Sequence, residues 1–282
     1  MSWRDIIAKV EPNPSEYNFT TYMKYVALTY MIERAKGGKK IQIIYRGRKF
    51  NDLDLFKRTL LQDICTLFYK YENLKELFDR ARLLMDKAKE ALKALGYEVI
   101  DTVAETKTKL LIGISEETFS KPIFEVGLMW DPYLNLPYIP GSSLKGAFRA
   151  YLELRGIRIA EQDVDKILGS PKDGVSCIMF LDSYPIGCRS TLLIPEVTTP
   201  IYSEIEGKIQ ETYAQPVPVI YPAINTGVRF RIIVGINKRI EDKIGTVDIN
   251  RLKGELLRFI SETLREGIGA KTMLGYGQLT VV

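Results

Sequence analysis

Val228-Arg-Phe-Arg-Ile-Ile-Val-Gly-Ile236 is the stretch that decides the fold class of this chain. Apolar residues alternate with Arg229 and Arg231 at its start, the period of a strand rather than a helix. C-terminal to it, Ile249 to about Glu266 predicts an amphipathic helix, a glycine-rich turn follows, and Gln278 to Val282 predicts a last strand. N-terminal to it, Val175 to Asp182 and Thr191 to Pro195 read as strands, and Ala160 to Leu168 reads as a short helix. Pro140-Gly141 turns into a helix from Ser142 to about Leu154. Thr108 to Ile114 and Phe124 to Met129 are further strand candidates around a polar loop, Ser115 to Lys121. The Thr/Glu/Gln-rich stretch from Glu196 to Pro218 is too polar for core and too long for a plain connection, so a projecting hairpin is expected near 196–218.

Strand, helix, strands, helix, strand on one sheet makes the fold class α+β, with a ferredoxin-like or RRM-like core. The first third reads differently. Tyr17 to Ala35 carries apolar residues at helical spacing and stops at Gly37-Gly38. Asp52 or Asp54 can cap a second helix reaching about Tyr69, with Leu55, Leu60, Ile64, Leu67 and Phe68 on its buried face. A third helix runs from about Leu74 to Leu95 and ends at Gly96, a glycine placed to stop it. The organisation expected is a mainly helical N-terminal region over 1–104 and the sheet-bearing domain over 105–282.

Composition narrows the chemistry. The 282 residues contain no histidine, which removes Ser-His-Asp triads, Cys-His dyads and His-based metal sites and leaves acid–base work to carboxylates, Lys or Tyr. Three widely spaced cysteines suit neither a disulfide framework nor a zinc cage. No apolar run is long enough to cross a bilayer and the start lacks a secretory signal, so a cytoplasmic protein is expected, and Asn18-Phe19-Thr20 matches a glycosylation acceptor by chance. Net charge is +5, unevenly spread: residues 1–97 hold 19 basic and 12 acidic residues, whereas the remainder is −2. The excess peaks at Arg34, Lys36, Lys39, Lys40, Arg46, Arg48 and Lys49, a run with no acid inside it. Such a cluster, with Tyr45 and Phe50 beside it, is either a solvated loop or a surface that tracks phosphates.

Two motifs carry chemistry. In Pro137-Tyr-Ile-Pro-Gly-Ser-Ser-Leu-Lys-Gly-Ala-Phe-Arg149, prolines and Gly141 set a turn, Ser142 or Ser143 caps a helix, and Lys145 and Arg149 lie four residues apart on one face. Backbone donors, a helix dipole and two cations form an anion site; the plainer reading is a well-capped surface helix. The second motif, Gly267-Ile-Gly-Ala-Lys-Thr-Met-Leu-Gly-Tyr-Gly277, superficially matches a nucleotide-binding loop. Ala270 stands where that loop needs glycine, and ten residues after Thr272 cannot complete a nucleotide fold, so ATP is rejected and no cofactor is expected. Its glycines let backbone pass close to a partner or pack the final helix on the sheet. Glu116, Glu117, Asp131 and Asp182 are the acids a metal-dependent nuclease would need, but no spacing ties them into a cluster.

These two motifs, in this order, resemble the RAMP superfamily of CRISPR-associated proteins. The closer resemblance is to the sixth-subunit family of the type III-B Cmr effector complex, carried by Asp131-Pro132 ahead of Pro-Tyr-Ile-Pro-Gly-Ser-Ser-Leu-Lys-Gly and by Gly-Ala-Lys-Thr ahead of Gly-Tyr-Gly. It covers roughly Thr108 to Val282; residues 1–97 carry no matching motif. The resemblance implies a non-catalytic RNA-binding subunit that holds the 3′ part of a CRISPR RNA. Partners would be CRISPR RNA and target RNA, the repeating RAMP backbone subunit, another RAMP subunit at the head and a small helical subunit. Nuclease subunits of such complexes carry an Asp in the loop after the first strand, where this chain has Glu116 and Glu117; a metal-dependent endoribonuclease is the alternative. A protein that holds a guide whatever its spacer must contact phosphates and leave bases free. Ser142, Ser143, Lys145, Arg149, Lys271, Thr272 and Tyr276 are the candidate RNA contacts on the motifs, and Lys39, Lys40, Arg46 and Arg48 those on the basic run.

Overall fold

In the computed structural model the described residues are 14, 16–36, 42–114, 121–172, 174–199, 203–205, 208–210, 218–245 and 248–282. In chain order they form α1 (Phe19–Ala35), β1 (Ile43–Tyr45), β2 (Arg48–Phe50), α2 (Leu53–Asp63), α3 (Lys75–Ala94), β3 (Tyr97–Thr106), α4 (Lys121–Phe124), β4 (Trp130–Asp131) and β5 (Leu136–Pro137). Then come α5 (Gly141–Arg155), α6 (Val164–Leu168), β6 (Ile178–Phe180), β7 (Pro185–Cys188), β8 (Leu193–Thr198), β9 (Ser203–Ile205), β10 (Lys208–Gln210), β11 (Val219–Ile224), β12 (Val228–Asn237), α7 (Ile240–Ile244), α8 (Ile249–Glu266) and β13 (Leu279–Val281).

The chain divides into two units that are each discontinuous in sequence. One takes residues 1–74, 113–135 and 191–224, the other 75–112, 136–190 and 225–282. The expected 104/105 boundary falls inside β3, within the second unit. The third N-terminal helix also belongs to that unit, where it packs on β3, β7 and β12.

In the first unit, Asn18 caps α1 by accepting from the Thr21 amide at 2.9 Å, which gives the apparent glycosylation acceptor a structural task. Asp52 caps α2 through the Asp54 and Leu55 amides. The helix continues as a wide π-type turn over Ile64–Phe68, which rotates the apolar stripe. Phe56, Leu60, Leu61, Ile64, Cys65 and Phe68 are buried, whereas Leu55 and Leu67, expected inside, are exposed. Phe19, Tyr69 and Trp130 meet edge to face, with ring centroids 5.0 and 5.3 Å apart. Buried Asn135, in left-handed backbone, donates to the Pro14 and Tyr17 carbonyls at 2.9 and 2.8 Å and accepts from the Phe19 amide at 3.1 Å. In the 196–218 region, β8 pairs antiparallel with β11, and β9 with β10, as two separate two-stranded ladders. Phe124–Met129 is not a strand; a short helix ends at Phe124 and irregular chain follows.

In the second unit the strands run β13-β3-β12-β6, all antiparallel, with β7 also on β12. Numbered within the core, that is fourth, first, third, second, with α5 after the first strand and α8 after the third: a ferredoxin-like βαββαβ sheet. The first core strand is β3, earlier than the expected Thr108–Ile114; that segment is extended and buried at Leu110, Leu111 and Ile112 but joins no named strand. Val228, Phe230, Ile232, Val234 and Ile236 are fully buried on one face, where Lys253 of α8 reaches Glu98 of β3 at 3.4 Å. The other face is covered in part by α3. Arg231 bonds Asp86 of α3 at 2.7 Å and Asp101 of β3 at 2.7 and 2.9 Å, Lys89 bonds Asp101 at 2.9 Å, and Leu92 lies over Gly235.

Candidate nucleic-acid interface

The start of α5 is built by Pro140 and by a side chain from another segment. Pro140 holds the cap position and its carbonyl accepts from the Ser143 and Leu144 amides at 3.0 and 3.1 Å. The Gly141 amide donates to Asp182 Oδ1 at 2.8 Å. Neither Ser142 nor Ser143 is therefore the cap; both sit in the first turn, Ser142 exposed and Ser143 half-buried. Gly141 is required here because a Cβ would overlap the Phe180 carbonyl of β6.

The two cations of this helix have different fates. Arg149 bonds Asp165 of α6 at 2.5 Å, Glu153 at 3.1 Å and the Gly169 carbonyl at 2.5 Å, and the two carboxylates, Asp165 foremost, raise its already high pKa. Its charge is matched by two carboxylates. Lys145 is half-buried and has no carboxylate partner among the described residues. Burial, and then the nearby Arg149, hold its ammonium below the ordinary lysine range. A half-buried cation without a counter-ion gains from a ligand anion what a paired arginine does not.

The glycine-rich loop leaves α8 and is pinned at three points. Ala270 donates to Leu111 O at 2.8 Å, Gly277 donates to Lys109 O at 2.8 Å, and Ile268 donates to Gly277 O at 2.9 Å. Both Gly269 and Gly277 have positive φ, and a Cβ at either would overlap a backbone carbonyl, of Leu111 and Ile268 respectively. Two of the glycines are thus demanded by packing within the chain itself. The pinning extrudes residues 271–276: Lys271 adopts left-handed backbone with its ammonium 5.8 Å from the Tyr276 ring centroid, Thr272 is half-buried, and Met273 and Leu274 are exposed at the tip. Ser142, Ser143 and Lys145 on α5 and Lys271, Thr272 and Tyr276 on this loop belong to the same unit but stand on separately anchored elements.

The basic run is less free than its sequence suggests, because acids from outside it reach in. Lys36 bonds Glu33 at 2.5 Å. Arg46, in the tight turn joining β1 and β2, bonds Asp63 at 2.9 Å and lies 6.0 Å from the Phe68 ring centroid, and Tyr45 donates to the same carboxylate at 3.0 Å. Arg46 is thereby a bracket between the hairpin and α2. Arg48 and Lys49 are exposed; Lys39 and Lys40 lie outside the described residues.

The candidate catalytic acids are similarly engaged. Asp182 receives the Gly141 amide, and Asp131 accepts from the Tyr133 and Leu134 amides at 2.8 and 3.0 Å. Glu116 and Glu117 lie outside the described residues, among which no three His, Cys, Asp or Glu side chains are grouped to hold a metal ion. The three cysteines are buried and form no disulfide, and no helix among the described residues is long and apolar enough to cross a membrane. Sequence reading missed Asp165 and Asp182 as partners, since each lies far along the chain from the group it contacts.

The chain is similar to known proteins over most of its length. The family model for the RAMP superfamily matches residues 103–280. The CRISPR system CMR subunit Cmr6 of Saccharolobus solfataricus is 31% identical over 237 residues, 84% of this chain and 76% of the relative. The Csm3 endoribonuclease of Methanothermobacter thermautotrophicus is 33% identical over 78 residues, 25% of this chain and 32% of the relative. Among solved structures, a subunit in a cryo-EM structure of a type III-B Cmr-beta complex bound to cognate target RNA matches with a TM-score of 0.79 and 26% identity, covering 99% of this chain and 96% of that one. The chain belongs to the RAMP superfamily and, within it, to the Cmr6 family.

Proposed function

We propose that the chain is a non-catalytic, RNA-binding architectural subunit of a type III-B Cmr effector complex, and that it holds the 3′ part of the CRISPR RNA. The observation that carries this reading is the end-to-end likeness to a subunit of a Cmr complex bound to target RNA, at a TM-score of 0.79. Local chemistry supports it. Lys145 presents an unmatched charge beside Ser142 and Ser143 at the start of a 15-residue helix, where the dipole also favours an anion. Lys271 and Thr272 stand on a rigidly pinned loop. These groups read phosphate rather than base, as a subunit that accepts any guide requires. Its partners on this reading are CRISPR RNA, target RNA and the other Cmr subunits.

Replacing Lys145 with Ala tests it. Guide binding should weaken equally across spacer sequences, and the salt dependence should flatten by about 0.7 log units per log unit for one lost phosphate contact. A loss confined to particular spacers refutes phosphate tracking. Sequencing RNA recovered with the complex after crosslinking through this chain should return guide 3′ ends; recovery of 5′ ends instead overturns the placement.

The 78-residue similarity to an endoribonuclease keeps a metal-dependent ribonuclease as the second reading. Changing Glu116 and Glu117 together to Ala in the assembled complex separates the two. Unchanged target cleavage supports the architectural role, whereas lost cleavage with intact assembly favours the enzyme.

A further inference from the structure

On the sheet face that α3 packs against, the start of β12 carries an exposed cationic group. Arg229 on β12 is exposed and has no carboxylate partner among the described residues, although the next residue on the same face, Arg231, is clamped by two. Across the ladder, Arg229 pairs with Glu105 of β3 on one side and Gly187 of β7 on the other. Glu105 accepts from Lys107 at 3.0 Å and from Arg189 at 2.6 Å. Its side chain is only 9% exposed beneath them, while that of Arg189 is 71% exposed. Water therefore meets three cations, with the single carboxylate underneath. The Glu105 carboxyl is held below its usual range, chiefly by Lys107, so it stays ionised and the group carries a net charge of +2.

Two glycines shape this surface. A Cβ on Gly187 would come within 2.9 Å of Arg229 Nη2, and one on Gly227 within 2.9 Å of the Arg189 stem. Each arginine thus lies along backbone kept bare for it. An exposed ion pair contributes little to stability, and an unmatched arginine on a central strand less still, so folding does not account for the arrangement. Paired guanidinium forks suit phosphate oxygens and are weakly hydrated.

We propose that Lys107, Arg189 and Arg229 form a second phosphate-binding surface, on the sheet face opposite α8, that takes the sugar-phosphate backbone of single-stranded RNA. The proposal rests on the RNA-binding reading above and adds a site that neither sequence motif contains. It is tested on the full-length chain by titrating a mixed-sequence single-stranded RNA oligonucleotide across a salt series. Arg189→Gln with Arg229→Gln should lower affinity about tenfold and flatten the salt slope by about 1.4, for two phosphates at about 0.7 each. Gly187→Ala, which changes no charge but displaces the Arg229 guanidinium, should lower affinity with an unchanged melting temperature. If both variants bind like the parent while Lys145→Ala binds worse, the sheet surface is refuted and the RNA-binding reading stands. If the parent chain and every variant fail to bind RNA, both readings fall. If the Arg variants keep RNA affinity but lose a neighbouring subunit in reconstitution, the surface is a protein interface and the proposal is wrong.

Discussion

Replacing Gly277 with alanine perturbs the C-terminal loop where its geometry is most constrained, and the cost can be worked from the structure. Gly277 has φ +77°, a conformation that disfavours an L side chain by roughly 1–2 kcal/mol. The added Cβ would also overlap the Ile268 carbonyl oxygen, with the Ile268 carbonyl carbon and amide nitrogen each 3.0 Å away. These are backbone atoms and cannot rotate aside, so the two segments must separate. Separation sacrifices the Ile268 amide to Gly277 carbonyl bond of 2.9 Å and the Gly277 amide to Lys109 carbonyl bond of 2.8 Å. At about 1 kcal/mol net for each bond, the total destabilisation is about 3–4 kcal/mol. Gly275 provides the control: its φ is +83° but nothing lies within 4 Å of the would-be Cβ, so only the conformational share, roughly 1–2 kcal/mol, applies. With roughly 2–4 °C of melting temperature per kcal/mol, Gly277→Ala should melt about 10 °C below the parent and Gly275→Ala about 4 °C below it. Scanning calorimetry reads both. Equal shifts, or a milder effect at Gly277, would refute the argument that close backbone approach, rather than φ alone, selects this glycine.

Other perturbations probe the remaining supports. Arg231 holds the Asp101 carboxyl below its ordinary range, so the folded pKa lies under the unfolded value of about 3.9. The stabilisation is then complete above that value and disappears as pH falls through the folded one; urea midpoints should drop steeply at acid pH in the parent and less steeply in Asp101→Asn. Asn135→Ala leaves the Phe19 amide and the Pro14 and Tyr17 carbonyls without their partner, and should cost about 3 kcal/mol by equilibrium denaturation; a loss below about 1 kcal/mol would mean that water replaces it. Arg46→Gln should destabilise by about 2 kcal/mol through Asp63, whereas Arg48→Gln with Lys49→Gln should stay within about 0.5 kcal/mol and act only on RNA affinity at low salt.

How far these features were legible depends on whether their causes are local. The strand at Val228 and the helix Ile249–Glu266 follow from periodicity and stop signals within a few residues and stand in the structure almost as read, and the ferredoxin-like class stands too, although its first strand is β3 rather than Thr108–Ile114. The unit boundary was not legible, because the stripe on α3 records that the helix buries one face but not which surface it buries it against. The same blindness explains the charges. Lys145 and Arg149 look equivalent in sequence, four residues apart on one helix, yet Asp165 neutralises one and leaves the other unmatched. The run from Arg34 to Lys49 contains no acid, yet Glu33 and Asp63 dock onto it. Arg229 and Arg231 alternate with apolar residues on one strand; α3 supplies Asp86 to Arg231, whereas no carboxylate pairs with Arg229 among the described residues. In each case the residues compared are all cations and the deciding fact is a carboxylate brought in by the fold. For a chain that binds a polyanion, counting cations in sequence therefore overstates the interface. What counts is the charge that remains after the fold has paired its own acids: one cation at Lys145, and two at Lys107, Arg189 and Arg229 over the single carboxylate of Glu105.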